Sequence, residues 1–314
     1  MEEIDRIGEG IRSLEIQGAR NVAIAGLTAL RIAALNAPAS TPADLLCEMR
    51  AIARKISLIR VTEPGLRNVL ATVISSCLDK PGLDTGELRD HVARRCEDML
   101  EVLESNIPKI IEHGSPVIRD GFTIYTHCHS SSVTSLIIAE SKKKDIRVIC
   151  SETRPRWQGR KTAHELAKNG VDTTLFVDSA IHMYQPEADL VLIGSDAVGG
   201  GFLYNKIGSF MVIDYANSNG IPAYSVCETQ KFDPLVGIGF VQDVEQRPPG
   251  EVIEGEVPFK VRNPAFEKVP VEMFTGLITE IGILKASEVD EVMHGYDHLI
   301  PELKGLVDWR EWKE

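Results

Sequence analysis

A cysteine between two histidines is the first candidate for chemistry in this chain. The stretch "IYTHCHSSSVTSLIIAE" (124–140) places Cys128 between His127 and His129, follows them with three serines, and then becomes apolar. A cysteine in such a place can be a metal ligand, a nucleophile, a base or a small buried hydrophobic residue. Consecutive side chains of a strand point to opposite faces, so these three residues are poorly placed to bind one ion. We therefore expect no metal here, and the role of the thiol stays open at this point.

Polar and cationic side chains follow the other apolar, β-rich runs of the second half. The segments are "ETRPRWQGR" (152–160), "GSDAVGGGFLYNKIGS" (194–209) and "ETQKFDP" (228–234). Ligands of parallel sheets bind at the carboxyl ends of the strands, where these segments lie. The sequence thus predicts one rim that combines a thiol, a carboxylate, amides and cations: Cys128, Arg154, Gln158, Arg160, Asp196, Asn205, Lys206 and Lys231.

Three serines after the thiol predict an anion site. Ser130, Ser131 and Ser132 open a helical segment, whose free N–H groups and dipole favour a phosphate and should lower the pKa of a neighbouring thiol. The three glycines at 199–201 suggest close approach of backbone to a ligand. No GxxxxGK[ST] or GxGxxG motif is present, so no nucleotide cofactor is indicated. Each feature alone has an ordinary structural explanation, but their shared location favours a site for a small, multiply phosphorylated molecule.

The elements that must position these residues change in character along the chain. Residues 2–112 show helical periodicity, whereas strands and helices alternate after "GSPVIRDG" (114–121). This pattern predicts an all-helical N-terminal domain (1–113) and a Rossmann-like parallel-sheet α/β domain (114–314). Strands are predicted at 122–128, 146–153, 174–179, 190–196 and 222–228, and helices at 132–144, 160–170 and 208–220. The segment 245–270 reads as a loop that packs against a partner chain.

Composition limits the class of protein. The formal net charge of −12 argues against a general nucleic-acid binder and means that an anionic substrate needs a local cationic cluster. Six widely spaced cysteines suit free thiols in a reducing compartment. Because the chain shows neither a secretory signal nor an apolar run long enough for a membrane span, we expect a cytoplasmic protein without a membrane partner.

Several of these motifs resemble a known superfamily. "THCHSSSVTSLI", "ETRPRWQGR", "IGSDAV", "NKIGSF", "ETQKFDP" and "RNPAFEKVPVEMFTGLITEIGI" look like the superfamily of two sugar-phosphate isomerases and the regulatory subunits of the exchange factor for translation initiation factor two. The likeness covers nearly the whole chain and is strongest to the archaeal ribose-1,5-bisphosphate isomerase branch. The alternatives are a methylthioribose-1-phosphate isomerase and a non-catalytic regulatory subunit. Regulatory subunits generally lack the thiol and carboxylate present here.

The resemblance implies roles for individual residues. It implies Cys128 as proton acceptor and Asp196 as proton donor in the conversion of ribose 1,5-bisphosphate to ribulose 1,5-bisphosphate, without metal or cofactor. It implies substrate contacts from Ser130, Ser131, Ser132, Asn205, Lys206 and Lys231, and phosphate contacts from Arg20 and Arg60 of the helical half. The family often has "RGAG" where this chain has "QGARN" around Arg20. The resemblance further implies a place in nucleotide salvage and a homo-oligomer, with dimers assembling into hexamers.

Overall fold

The protein folds as two compact units. The computed structural model describes residues 2–240 and 246–307. One unit comprises the described parts of Met1–Ser105, Gln230–Gln242 and Glu291–Glu314, and the other comprises those of Asn106–Thr229 and Asp243–Asp290. The sequence predicts a domain boundary between residues 113 and 114, and this boundary stays a prediction. The first unit thus includes two segments from the C-terminal half of the chain.

The first unit is helical, as its periodicity predicts. Its N-terminal part contains α1 (Glu2–Arg12), α2 (Ala19–Asn36), α3 (Pro42–Ser57), α4 (Pro64–Leu78) and most of α5 (Thr85–Gly114). The hydroxyl of Thr41 caps α3 by accepting the Asp44 N–H at 3.1 Å, and Pro42 occupies the first turn. Leu27, Leu30 and other fully buried aliphatic side chains form its core.

The second unit is an α/β domain built on a mostly parallel sheet, which confirms the predicted fold class. Its strands are β1 (Thr123–Thr126), β2 (Arg147–Ser151), β3 (Asp172–Phe176), β4 (Leu190–Ile193), β7 (Ala223–Val226), β9 (Gly276–Thr279) and β10 (Gly282–Leu284). They are ordered β10-β9-β7-β4-β1-β2-β3, and only β10 runs antiparallel to its neighbour. The chain proceeds outward from β1 to β3 and then returns to the other side of β1 with β4. This reversal opens a crevice at the carboxyl ends of β1 and β4, where ligands of such sheets bind.

The helices between these strands match the predictions to within a few residues. They are α6 (Ser131–Ser141), α7 (Gln158–Lys168) and α9 (Ser209–Ser218), with the short α8 (Ile181–Tyr184) before β4. Later in the chain come α10 (Pro234–Gly237), α11 (Ala286–His294) and α12 (Ile300–Leu306). No helix in the described ranges is both long and apolar enough to cross a membrane.

A second, antiparallel sheet was not predicted. It contains β5 (Ala197–Gly199), β6 (Phe202–Lys206) and β8 (Phe266–Pro270), in the order β5-β6-β8. Gly200 and Gly201, with φ of 60° and 79°, form the turn between β5 and β6, which explains these glycines without a ligand. The interpretation of 245–270 as loop is wrong for β8, whose Glu267 pairs with Asn205 of β6. This sheet fixes the position of the residues that follow Asp196.

Candidate active site

The loops after β1 and β4 carry the predicted thiol and carboxylate. Cys128 lies just beyond β1 and Asp196 just beyond β4, on the two sides of the reversal in strand order. The charges of Lys206 and Asp196 both act on the Cys128 thiol, the first lowering and the second raising its pKa. The structure therefore brings together three residues, from two sequence segments, that the rim prediction combined.

The backbone of Cys128 is held in an uncommon conformation. Its φ is 66°, in the left-handed region that non-glycine residues rarely occupy. The Cys128 N–H donates to the hydroxyl of Thr153 at 3.1 Å, and the Cys128 carbonyl accepts the hydroxyl of Thr162 at 2.8 Å. Thr153 also has a positive φ, of 57°, and its N–H donates to Asp178 at 2.8 Å. Such strain persists only where the surroundings fix it, and it clusters at functional sites.

Burial dominates the acidity of this thiol. It raises the pKa of Cys128 to about 11, although Lys206 and the backbone N–H of His129 both lower that pKa. The expectation that the dipole of the following helix would lower the pKa is therefore wrong in net effect, because desolvation of the thiolate is larger. At neutral pH Cys128 is a thiol that needs a further change in its surroundings to act as a base.

The start of α6 offers donors for an anion. The hydroxyl of Ser130 accepts the Val133 N–H at 3.5 Å, Ser131 is exposed and Ser132 is buried. Gly194 after β4 leaves space for Ser130, since a Cβ at Gly194 would lie 2.7 Å from the Ser130 Cβ. The predicted helix thus begins at the crevice between β1 and β4.

The start of α9 is already occupied by a carboxylate. Glu267 of β8 accepts the N–H groups of Gly208 at 2.6 Å and Phe210 at 2.9 Å. A helix N-terminus so capped is a poor place for a phosphate, because the carboxylate repels it. Of α6 and α9, α6 is therefore the better phosphate site.

Asn205 and Lys206 end β6 with buried side chains. The Asn205 amide donates to the Ser209 hydroxyl at 2.9 Å, and that hydroxyl donates to the Lys206 carbonyl at 2.7 Å. The Lys206 ammonium lies 4.7 Å from the centre of the Phe266 ring, in a side chain that is only 9% exposed. A buried ammonium close to a thiol and a carboxylate is a strong local field for an anion.

The predicted contacts of the β2–α7 loop are organised around an indole. The guanidinium carbons of Arg154 and Arg160 lie 4.5 and 3.6 Å from the centre of the Trp157 ring. Arg154 also donates to the Val252 carbonyl at 2.8 Å, and Arg160 donates to Glu152 at 2.8 Å. The buried Oε1 of Gln158 has no hydrogen-bond partner within the described ranges. Substrate contact by these three residues stays a prediction.

Three predicted contacts belong to the helical unit. Arg20, in the first turn of α2, donates to the Leu103 carbonyl at 2.9 Å, and Arg60 pairs with Glu63 at 3.0 Å. Lys231 is 6% exposed, and its loop is anchored where the Asn68 amide donates to the carbonyls of Gln230 and Phe232 at 2.6 and 2.7 Å. Their contact with a substrate stays a prediction too.

The two histidines beside Cys128 have separate partners. His127 contacts the Ser151 hydroxyl at 3.1 Å and the Ile207 carbonyl at 2.9 Å. The ring nitrogens of His129 face Thr162 at 3.1 Å and Glu165 at 3.7 Å. Burial lowers the pKa of both histidines, so both are neutral near pH 7. Within the described residues no group of three His, Cys, Asp or Glu is arranged to hold a metal ion.

Sequence reasoning missed the residues that orient Cys128. Thr162 has no signature, since a threonine in a helix is ordinarily a surface or packing residue. Asp178, whose carboxylate accepts the N–H groups of Thr153 and Arg154 at 2.8 and 2.6 Å, does have one. It follows β3 in the same way that Cys128 follows β1, and attention to every strand end would have found it.

Comparison with known proteins places the chain in a family. The family model described as "Initiation factor 2 subunit family" matches residues 15–286. The chain belongs to this family. It is 35% identical to proteins named ribose 1,5-bisphosphate isomerase from Methanocaldococcus jannaschii and Archaeoglobus fulgidus, over 90% of this chain and 92% and 90% of theirs.

Solved structures show the same fold. The structure of a translation initiation factor eIF-2B from Pyrococcus horikoshii superposes with a TM-score of 0.79 at 24% identity, covering 90% of this chain and 97% of that one. The 5-methylthioribose 1-phosphate isomerase of the same organism gives 0.74 at 21% identity, covering 93% and 88%. At these identities the likeness establishes the architecture alone, because one fold supports many functions.

Proposed function

We propose that this protein is an aldose–ketose isomerase that converts ribose 1,5-bisphosphate to ribulose 1,5-bisphosphate. The observation that carries the proposal is the pair formed by Cys128 and Asp196, on the two loops where the strand order reverses. The similarity of the chain to proteins named for that reaction supports it. A regulatory subunit has no need of an acid and a base that face one crevice. A substrate with one phosphate would leave part of the predicted cationic rim unused.

The proposed reaction needs an acid and a base. A phosphate on carbon 1 locks the furanose, so the bond between carbon 1 and the ring oxygen must break first. Asp196 donates its proton to that oxygen, and Cys128 as thiolate takes the proton from carbon 2, which leaves an enediol that is phosphorylated at carbon 1. Cys128 then returns its proton to carbon 1, and Asp196 recovers a proton from the hydroxyl of carbon 2 as the ketone forms. Protons balance, and each acid–base group contributes roughly 10²–10⁴-fold.

The surroundings of the pair support these roles. The N-terminus of α6 with Ser130, Ser131 and Ser132 suits one phosphate, and the Lys206 ammonium counters negative charge close to the thiol. Lys206 also favours the thiolate, and a protonated Asp196 no longer raises the pKa of the thiol. The reactive state of the pair is therefore a protonated carboxyl beside a thiolate, a minor state that the site stabilises for catalysis.

A single assay tests the proposal. The purified protein is incubated with ribose 1,5-bisphosphate, 5-methylthioribose 1-phosphate or 5-deoxyribose 1-phosphate, and formation of the ketose is followed. We expect turnover of the bisphosphate with a kcat/KM at least tenfold above that of the other sugars, and loss of turnover in Cys128→Ser, whose hydroxyl is too weak an acid to supply an anion. Turnover of no sugar would favour the regulatory function, and preference for a monophosphate would reassign the substrate.

We further propose a homo-oligomer, a dimer or an assembly of dimers up to a hexamer. Ile281 and Ile283 at the edge of the large sheet are 56% and 40% exposed, a feature common where sheets or subunits meet. Light scattering should give a mass of at least twice the 34.6 kDa of one chain, and a mass equal to one chain would contradict the oligomer. The place in nucleotide salvage and the cytoplasmic location stay predictions.

A further inference from the structure

We propose that His127 is a positioning residue, which ties the loop of Cys128 to the segment that carries Lys206 and so holds the ammonium beside the thiol. This inference rests on the proposed isomerase function. It assigns a task to the histidine that precedes the thiol, which the mechanism above does not use.

The ring of His127 links three segments, two from the large sheet and one from the small antiparallel sheet. It follows β1, it contacts the Ser151 hydroxyl at the end of β2, and it contacts the Ile207 carbonyl just after β6. Ile207 is the residue next to Lys206, and His127 is the residue next to Cys128. One imidazole therefore links the backbone beside the ammonium to the backbone beside the thiol.

The partners define the protonation of the ring. A carbonyl only accepts, so Nε2 carries the proton that is donated to Ile207, and in the neutral ring Nδ1 accepts the hydroxyl proton of Ser151. Burial lowers the pKa of His127, and Lys206 lowers it further, while the Ile207 carbonyl and Asp178 oppose this. The neutral ring satisfies both bonds and adds no positive charge to the site.

Gly208 is fitted to the same contact. Its φ is 103°, and a Cβ there would lie 3.0 Å from both Cε1 and Nε2 of His127. The backbone after Lys206 therefore approaches the imidazole ring more closely than a side chain at Gly208 would comfortably allow. On the other side, Glu267 accepts the Gly208 N–H at 2.6 Å, so the segment is fixed between β8 and His127.

The geometry separates two replacements of His127. A glutamine places its amide nitrogen near the position of Nε2 and can still donate to the Ile207 carbonyl. An asparagine is shorter and can replace only the contact with Ser151. The two variants thus remove the same imidazole, but only one of them keeps the link to the Lys206 segment.

A double-mutant cycle tests the inference. Wild type, His127→Asn, Lys206→Met and the double variant are compared in kcat/KM for ribose 1,5-bisphosphate, with His127→Gln as the conservative control and thermal melting to confirm folding. We expect kcat/KM to fall about 30-fold or more in His127→Asn and to stay within about fivefold of wild type in His127→Gln. The kcat/KM of the double variant should be no more than about threefold below that of Lys206→Met, because effects of two residues that act through one contact do not add. Losses that multiply, or an asparagine variant equal to wild type or to the glutamine variant, would refute the link.

Failure of the proposed function is distinguishable from failure of this inference. A wild type that turns over no sugar contradicts the isomerase, and the same cycle is then measured as the rate at which iodoacetamide alkylates Cys128, counted on the peptide that carries it. This rate reports the field of Lys206 at the thiol without any substrate. Non-additive changes of the alkylation rate support the role of His127, and additive changes reject it.

Discussion

The surroundings of Cys128 disfavour the thiolate that the proposed mechanism needs as a base. With a pKa of about 11 it is about one part in 10⁴ thiolate at pH 7, a cost of about 5 kcal/mol relative to a fully ionised base. About half of this cost belongs to any cysteine, whose ordinary pKa is 9.0, and burial is the largest cause of the rest. Burial also excludes water from a reactive enediol. The Lys206 ammonium reduces the cost, and so does a proton on Asp196. The acid and the base are thus linked, because the proton that Asp196 needs as an acid also favours the thiolate.

This linkage predicts different pH profiles for the thiol and for catalysis. Alkylation of Cys128 should rise about tenfold per pH unit between pH 7.5 and 9.5, since only the thiolate reacts and its pKa is about 11. Over the same range kcat/KM for the sugar should be nearly flat. Raising the pH gains thiolate but loses protonated carboxyl, because an aspartate ordinarily ionises far below such a thiol. A kcat/KM that rises in parallel with alkylation would show that no acid of lower pKa takes part.

Asp196→Asn separates ring opening from isomerisation. The variant keeps the shape of the side chain, removes one anion from the site and has no carboxyl proton to donate. It should bind ribose 1,5-bisphosphate at least as tightly as wild type, and turnover should fall by about 10² or more. A crystal soaked with this sugar should show an intact furanose, whereas an open chain would assign the acid to another group.

At the scale of elements, apolar runs predicted five of the seven strands of the large sheet, whereas β9, β10 and the strands of the second sheet were not predicted. β1 and β4 are continuous buried runs, "TIYT" and "LVLI", so their ends and hence Cys128 and Asp196 were found from sequence. β5 has only three residues before a glycine turn, and β8 alternates with charges in "FEKVP". Their pairing depends on contacts between distant segments, such as Asn205 with Glu267, that periodicity does not encode.

The sequence did not predict the left-handed backbone conformation of Cys128 either, because residues of other segments hold it. The hydroxyls that hold it come from the loop after β2 and from α7. Neither threonine stands near Cys128 in sequence. The residue types at the strand ends therefore predicted the chemistry of the site, whereas the orientation of the Cys128 thiol depends on contacts that only the fold shows.

Thr162→Val tests whether α7 orients the thiol. The change keeps the shape and removes the hydroxyl that donates to the Cys128 carbonyl, so Cys128 should relax from its φ of 66°. We expect kcat to fall at least tenfold. Because the same hydroxyl also contacts His129 at 3.1 Å, the loss of its hydrogen bonds should cost about 1–3 kcal/mol each in unfolding free energy. Thr173→Val in β3 removes a hydroxyl whose only hydrogen bond within the described residues is to the nearby Val171 carbonyl, at 2.9 Å, and it should leave kcat unchanged. Equal kcat values in the two variants would show that α7 does not orient the thiol for catalysis.

At the scale of the whole molecule, the overall charge and the site act in opposite directions on an anionic substrate. The net charge of −12 repels a sugar bisphosphate at long range, whereas Lys206 and the start of α6 attract it at contact. Salt screens both effects over a Debye length of about 8 Å at physiological ionic strength. The sign of the salt dependence therefore reports which effect dominates.

We predict that the local cations dominate. KM for ribose 1,5-bisphosphate should rise several-fold between 50 and 500 mM KCl, about the range over which the Debye length falls below 5 Å, with kcat little changed. Lys206→Gln should flatten this dependence. Lys142→Gln is the matched control, because it removes the same charge from the exposed C-terminal end of α6, the end of an 11-residue helix opposite Ser131. A KM that falls with salt in wild type would mean that the overall field controls binding, and equal slopes in the two variants would mean that Lys206 contributes no more than any surface charge.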